Sequence, residues 1–239
     1  MRKAMIVGAS SGLGLEIAKL MARDGWSLGL AARNMDALET LRGELGVEVH
    51  LQRLDVTETE SVPAALDALA SALGGVDCVV ISSGVCPYNR KLAWDLEYAT
   101  LSTNVLGFAA CANWAAHRFF DQKAGHIVGI SSVASLRGSP QVPAYNASKA
   151  FESRYMEGLR FNLAKYGVSV TDIRPGYVDT PMTKDQKGMF WLVDAQTASR
   201  QIYRAILKKS RVAYVPRRWG WLAKLILVAP GSLYSRLSN

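Results

Sequence analysis

Residues 4–14 read Ala-Met-Ile-Val and then Gly8-Ala9-Ser10-Ser11-Gly12-Leu13-Gly14. A four-residue apolar run ahead of a glycine turn suits a strand buried on both faces. The segment that follows, LEIAKLMARDG, spaces its apolar residues near the helical period. Strand, glycine turn and helix in that order bring bare backbone and the unpaired N–H groups of a helix start to one point. There the helix dipole favours an anion such as a pyrophosphate. The glycine spacing is G-x-x-x-G-x-G rather than G-x-G-x-x-G, so the surrounding strand and helix carry the reading, not the string alone.

The same unit recurs along the chain. Apolar strand runs stand at 26–32, 47–54, 76–81, 125–130, 168–173 and 212–215. Helical patterns fill 35–45, 57–73, 97–122, 144–166 and 195–208, with Thr57 and Glu60 spaced as a capping box for the helix that follows. Strands alternating with helices make one α/β domain over 1–239, a Rossmann-type doubly wound parallel sheet of about seven strands with helices on both faces. Such a sheet binds ligands at the carboxyl ends of its strands.

Those ends carry the chemistry. Arg33-Asn34 closes the second strand; an acid there would grip a ribose 2′-hydroxyl, whereas an arginine suits a 2′-phosphate, which points to NADP(H) before NAD(H). The fifth strand delivers Ser131 and Ser132. Tyr145 and Lys149 stand four apart, on one face if helical. A phenol titrates near ~10, and a neighbouring cation favours its anion. Asn104 lies among apolar neighbours and is either a satisfied structural amide or part of a site.

Apolar residues are 49% and charged residues 20%, enough for a sizeable core, and the formal net charge is +8. Much of the excess is late: Lys208, Lys209, Arg211, Arg217, Arg218, Lys224 and Arg236 fall in the last 32 residues. A basic tail is not a basic groove, so no nucleic-acid partner is expected. Cys78, Cys86 and Cys111 have no CxxC spacing, and His50, His117 and His126 no ligand spacing, so neither disulfide nor metal is expected. The opening MRKAMIV is too short for a signal peptide, and the setting expected is a reducing cytoplasm. Residues 182–194 read as a flap whose apolar face covers substrate. The tail, 216–239, has a longest uncharged apolar run, Leu225–Ala229, too short to span a bilayer. It packs on its own domain or a partner subunit, or makes peripheral contact with a membrane interface.

GASSGLG at 8–14, Asp55-Val56, Asn104, Ser132, Tyr145-x-x-x-Lys149 and Pro175-Gly176 through Thr180 together resemble the short-chain dehydrogenase/reductase family over nearly the whole chain. The resemblance implies that Gly8, Ser10, Ser11, Gly12, Leu13 and Gly14 cradle the pyrophosphate and ribose, that Arg33 selects the 2′-phosphate, and that Asp55 and Val56 hold adenine. Ser83 and Gly84 would border the cofactor, and Pro175, Val178 and Thr180 would position the nicotinamide. It further implies Tyr145 as general acid/base, Ser132 as hydrogen-bond donor to the developing alkoxide, and Lys149 as the cation that lowers the tyrosine pKa and binds the ribose. Asn104 would hold a relay water. One departure is Ile81-Ser82-Ser83-Gly84, where the family usually has Asn-Asn-Ala-Gly; Ser82 would replace the sheet-stabilising asparagine with a shorter hydrogen bond. The activity expected is NADP(H)-dependent hydride transfer on a small-molecule carbonyl or alcohol. The family commonly pairs its two long helices, so a homodimer or homotetramer is expected; Phe108, Trp114, Phe151 and Leu159 are compatible with such a face and equally with core packing. A non-catalytic NADP(H)-binding sensor or scaffold, and a membrane-peripheral reductase of a lipid-like substrate, are the alternatives.

Overall fold

The first strand, β1 (Lys3–Val7), buries both its faces: Ala4 and Ile6 enter one hydrophobic cluster, Met5 and Val7 another. The computed structural model describes residues 1–184, 189–228 and 230. After β1 come α1 (Gly12–Arg23), β2 (Ser27–Ala32), α2 (Met35–Glu44), β3 (Val49–Arg53), α3 (Val62–Ala72) and β4 (Cys78–Ile81). Next are α4 (Trp94–Leu101), a π-helical turn (Ser102–Gly107), α5 (Phe108–Gln122), β5 (Gly125–Ile130) and α6 (Pro143–Leu163). The chain then forms β6 (Val168–Pro175), β7 (Val178–Asp179), β8 (Val193–Asp194), α7 (Ala195–Leu207), β9 (Val212–Val215) and α8 (Trp219–Val228).

Seven strands form one parallel sheet in the order β3-β2-β1-β4-β5-β6-β9. Ile17 of α1, Leu38 of α2 and Ile202 of α7 pack on one face; Leu66 of α3, Phe108 of α5 and Met156 of α6 pack on the other. Each such side chain contributes about 1.5–3 kcal/mol by leaving water. The strand order reverses between β1 and β4, where Val7 pairs with both Ala31 and Ile81. The turns leaving β1 and β4 therefore open a crevice at the carboxyl edge.

Several details depart from expectation. The Thr57–Glu60 capping box does not start α3. Thr57 instead donates its hydroxyl and its N–H to Asp55 Oδ1, at 2.8 and 3.0 Å, in an Asx turn; Ser61 then precedes the helix and Pro63 lies in its first turn. The long helix over 94–122 is broken by the π-helical turn, which contains Asn104. Of the two placements open to them, Phe108 and Trp114 take the core, and the Trp114 indole donates to Asp67 Oδ1 at 2.9 Å. Phe151 and Leu159 are half-buried, with Phe151 stacked on Tyr155 at 5.4 Å. A two-strand ribbon, β7 with β8, frames the 182–194 stretch and was not anticipated. Residues 185–188 of the flap, and 229 and 231–239 of the tail, Arg236 included, lie outside the described residues. Among the described residues, no helix is long and apolar enough to cross a membrane.

Candidate active site

A cleft of about 310 Å³ runs along the carboxyl edge, over the crevice between β1 and β4. Gly8, Ser10, Ser11, Gly12, Leu13, Arg33, Asp55, Val56, Ser83, Gly84, Ser132, Tyr145, Lys149, Pro175, Val178 and Thr180 all line it. Gly14 and Asn104 do not. Gly14 acts by packing: a Cβ there would sit 2.2 Å from the Gly8 carbonyl, so the first turn of α1 closes on the glycine turn only without a side chain. Gly8 itself has φ +87, and its Cβ would lie 2.6 Å from the Ser83 nitrogen, which forces the two turns together at the crevice.

One end of the cleft is built for anions. Ser11 precedes α1 in an extended conformation and makes no side-chain cap, so the first amides of the helix keep their donors. Ser83 Oγ is buried in the cleft wall without a hydrogen-bond partner. An orphaned hydroxyl of this kind fits a polar ligand in the cleft. Ser82 ties β4 to β1 through its main-chain N–H, which donates to the Val7 carbonyl at 2.8 Å. The Arg33 guanidinium is mostly exposed and stands 3.9 Å from the Asp55 carboxylate, a spacing that leaves its donors available to an anion. Burial pushes the Asp55 carboxyl up, but the Thr57 hydrogen bonds and the Arg33 charge outweigh it and hold Asp55 below the ordinary range.

The other end holds the proton-transfer groups. Ser132, just after β5, lines the cleft with Tyr145; its hydroxyl donates to the Pro175 carbonyl at 3.3 Å and accepts from the Ala134 N–H at 3.0 Å. Burial, then the nearby Cys86, push the Tyr145 phenol up, and the neighbouring Ser132 hydroxyl opposes them. The Lys149 ammonium lies 5.7 Å from the Tyr145 ring centre and is bound to both oxygens of Glu152, at 2.8 and 2.9 Å, and to the Ile130 carbonyl at 3.0 Å. Burial pushes Glu152 up to about 7 against the pull of Lys149. Asn104 is fully buried. It accepts from the Val85 N–H, donates to the Val85 carbonyl, both at 2.9 Å, and donates to Ser148 Oγ at 3.1 Å. Its side chain thus clasps the segment after β4 to α6.

Next to the cleft residues Gly176 and Val178 lies an aromatic cluster: Phe190 and Trp191 pack against Trp219 of α8, tilted and edge-on, at 5.0 and 5.5 Å, and Tyr177 meets Phe190 at 5.8 Å. The start of the tail therefore packs on its own domain, against the flap. Sequence reading missed Glu152, although its place three residues after Lys149 on a helix was a usable signal. It also missed Thr103 and Leu54 on the cleft wall, for which no local signal exists.

A family profile described as short chain dehydrogenase matches residues 2–189. An uncharacterized oxidoreductase of Myxococcus xanthus (strain DK1622) is 35% identical over 98% of this chain and 94% of its own. Among solved structures, a short-chain type dehydrogenase/reductase from Mycobacterium marinum superposes with a TM-score of 0.81 at 25% identity, covering 89% of this chain and 92% of that one. The NADPH-dependent 3-quinuclidinone reductase of Rhodotorula rubra gives 0.76 at 25% identity, covering 86% and 84%.

Proposed function

The chain belongs to the short-chain dehydrogenase family of oxidoreductases, and on that premise we propose that it is an NADP(H)-dependent enzyme acting on a small-molecule carbonyl or alcohol. The observation that carries the reading is that Ser132, Tyr145 and Lys149 line the same cleft as the glycine turn. Gly8, Ser10, Ser11, Gly12, Leu13, Ser83 and Gly84 would hold the phosphates and ribose, Arg33 the 2′-phosphate, Asp55 and Val56 the adenine, and Pro175, Val178 and Thr180 the nicotinamide. The bound nicotinamide supplies or takes up the hydride.

In reduction, Tyr145 gives its phenolic proton to the carbonyl oxygen while the carbonyl carbon gains a hydride, so charge balances. Ser132 donates a hydrogen bond to that oxygen as negative charge develops, an interaction worth about 3 kcal/mol in comparable sites. General acid help of this kind contributes roughly 10² to 10⁴ in rate. Self-association, as the family implies, would use apolar residues left exposed on the long helices, such as Leu106 and Phe161. The test is Tyr145→Phe, with NADPH consumption followed across a panel of carbonyl compounds and NADPH binding measured in parallel. Lost turnover with retained binding supports the reading. Near-normal turnover removes Tyr145 from the chemistry, and binding without turnover in the unmodified protein favours a sensor.

One observation favours a second reading, contact with an anionic lipid surface and a lipid-like substrate. Trp221, Leu225, Leu227 and Val228 of α8 are exposed, Lys224 lies among them, and Arg218 stacks on the exposed Trp191 at 4.8 Å. Sedimentation with anionic vesicles should fall in a Trp221→Ser/Leu225→Ser variant. Equal sedimentation of both proteins refutes it.

A further inference from the structure

The amino-terminal edge of the sheet, opposite the cleft, holds a second cavity of about 280 Å³. Among the described residues, none lines both. Trp26, Cys78 and His126 are its buried residues, and the last two stand side by side because β4 pairs with β5 in that register. Two exposed cations, Arg2 and Lys209, line it as well. The reaction above uses none of these groups.

Three nitrogen donors on this cavity lack an acceptor. His126 meets Thr171 Oγ1 through Nε2 at 2.8 Å. Thr171 is fully buried, so its hydroxyl is satisfied by donating to Nε2, which assigns the ring proton to Nδ1. Nδ1 has no hydrogen-bond partner among the described residues. Burial, then the Lys209 charge, push His126 down to about 4, so at neutral pH the ring keeps that single proton. The Arg2 guanidinium lies over the Trp26 ring at 4.4 Å, a contact that leaves its N–H fork open. Lys209 ends α7 in a Schellman turn: its N–H donates to the Ile206 carbonyl at 2.9 Å, Ser210 N–H donates to Ala205 at 3.0 Å, and its own φ is +49. Glycine takes that position without strain, and a lysine does not. Lys123, at φ +56 after α5, sets its ammonium over Phe120 and Tyr166 at 4.2 and 4.5 Å. The Lys209 ammonium has neither ring nor carboxylate partner among the described residues, and its charge acts on Cys78 and His126. Asp77 is the one carboxylate on the cavity; it accepts the Lys3 main-chain N–H at 2.8 Å and forms no salt bridge to Arg2 or Lys209 among the described residues. No acidic residue follows Asp194 in the sequence, so the surface around Lys209 draws anions.

We propose that this cavity is a second binding site, for a small organic carboxylate. The Arg2 fork and the Lys209 ammonium take the carboxylate, His126 Nδ1–H donates to one of its oxygens, and Ile206 and Leu207 meet its carbon skeleton. Three donors without an acceptor select an anion, and the apolar wall selects an organic one. The volume lies just under the ~300 Å³ at which small-molecule pockets usually begin, so the acid is small. The site is independent of the cofactor cleft and of the reaction proposed there.

The test follows the His126 imidazole by NMR in a His50→Gln/His117→Gln background, where it is the one histidine left. The full chain is titrated with benzoate, with benzamide as its neutral counterpart, and with inorganic phosphate. Benzoate should shift the His126 signal saturably at fixed pH, and benzamide should not. Lys209→Gly should weaken benzoate at least about tenfold, the loss of one charge-assisted contact. Its unfolding midpoint should hold or rise, because glycine suits φ +49, so the loss is not one of folding. Arg2→Gln, at an exposed position, should weaken benzoate to a similar degree. No saturable shift with benzoate overturns the proposal, as does an equal shift with benzamide or an unchanged affinity in both variants. Phosphate binding more tightly than benzoate overturns the assignment to an organic acid.

Discussion

Replacing Lys149 by Met keeps the side chain's length and removes its charge. Burial holds the Glu152 carboxyl at about 7 in the folded protein, against an ordinary value of 4.5, although Lys149 pulls it down. Without the ammonium that pull is gone, and folded Glu152 keeps its proton well above neutrality while the unfolded chain releases it. The folded pKa is raised above the unfolded one, so the stability linked to Glu152 is full below the unfolded value and is lost as pH rises through the folded value. In the wild type that loss is over just above neutrality; in the variant it continues. One retained proton costs about 1.4 kcal/mol per pH unit, so between about pH 7 and about pH 9 the variant falls a further ~3 kcal/mol behind. That agrees with the ~3–5 kcal/mol typical of removing one partner of a buried ion pair. In a chain of this size it corresponds to a Tm deficit widening by roughly 6–12 °C. Urea unfolding of both proteins at several pH values reads the gap, because every other titrating group is common to both. Lys149→Met/Glu152→Leu should lose the pH dependence. A gap that stays constant with pH would refute the argument.

Three further outcomes follow from the geometry. Gly14→Ala places a Cβ 2.2 Å from the Gly8 carbonyl, so the turn must open; NADPH affinity by fluorescence titration should drop at least about tenfold, together with stability. Arg33→Asp removes a guanidinium suited to a 2′-phosphate, and the NADPH/NADH preference measured by kcat/KM should fall by about 10- to 100-fold, the loss of one charge-assisted contact. Gly176→Ala drives a methyl to within 1.9 Å of the Trp219 indole nitrogen, so α8 should leave its seat, read as a red-shifted tryptophan emission and faster proteolysis after Arg217 or Arg218.

The sheet was legible because its strands are short apolar runs with the two-faced burial that parallel sheets require, and Ala4–Val7 shows that pattern directly. The cleft residues were legible because they follow those strands at once: Gly8 after β1, Arg33 after β2, Ser132 after β5. What the chain order does not encode is which side chains meet across elements. Asn104 was read as a structural amide or a site residue, and only its place in a π-helical turn opposite Val85 and Ser148 decides that its side chain acts as a clasp. Phe108 and Trp114 suited a partner helix and the core equally, and only the packing of α5 on the sheet places both in the core. Thr57 looked like a cap until Asp55, two residues earlier, took its hydroxyl.

The helix α6 makes the same point at the level of charge. Tyr145, Ser148, Lys149, Glu152 and Ser153 project from successive turns, so a single element spaces the proton donor, the clasp, the cation and its counter-ion. The tyrosine–lysine spacing read alone predicts a depressed phenol pKa. In the fold the phenol is raised instead, because burial outweighs every nearby charge and Cys86 and then Glu152 add to it, while the lysine cation itself is held at 2.8 Å by the Glu152 carboxylate. The electrostatics of the pair therefore depend on its burial and its counter-charge as well as on the spacing of its own two members. In this chain that counter-charge is written three residues further along the same helix.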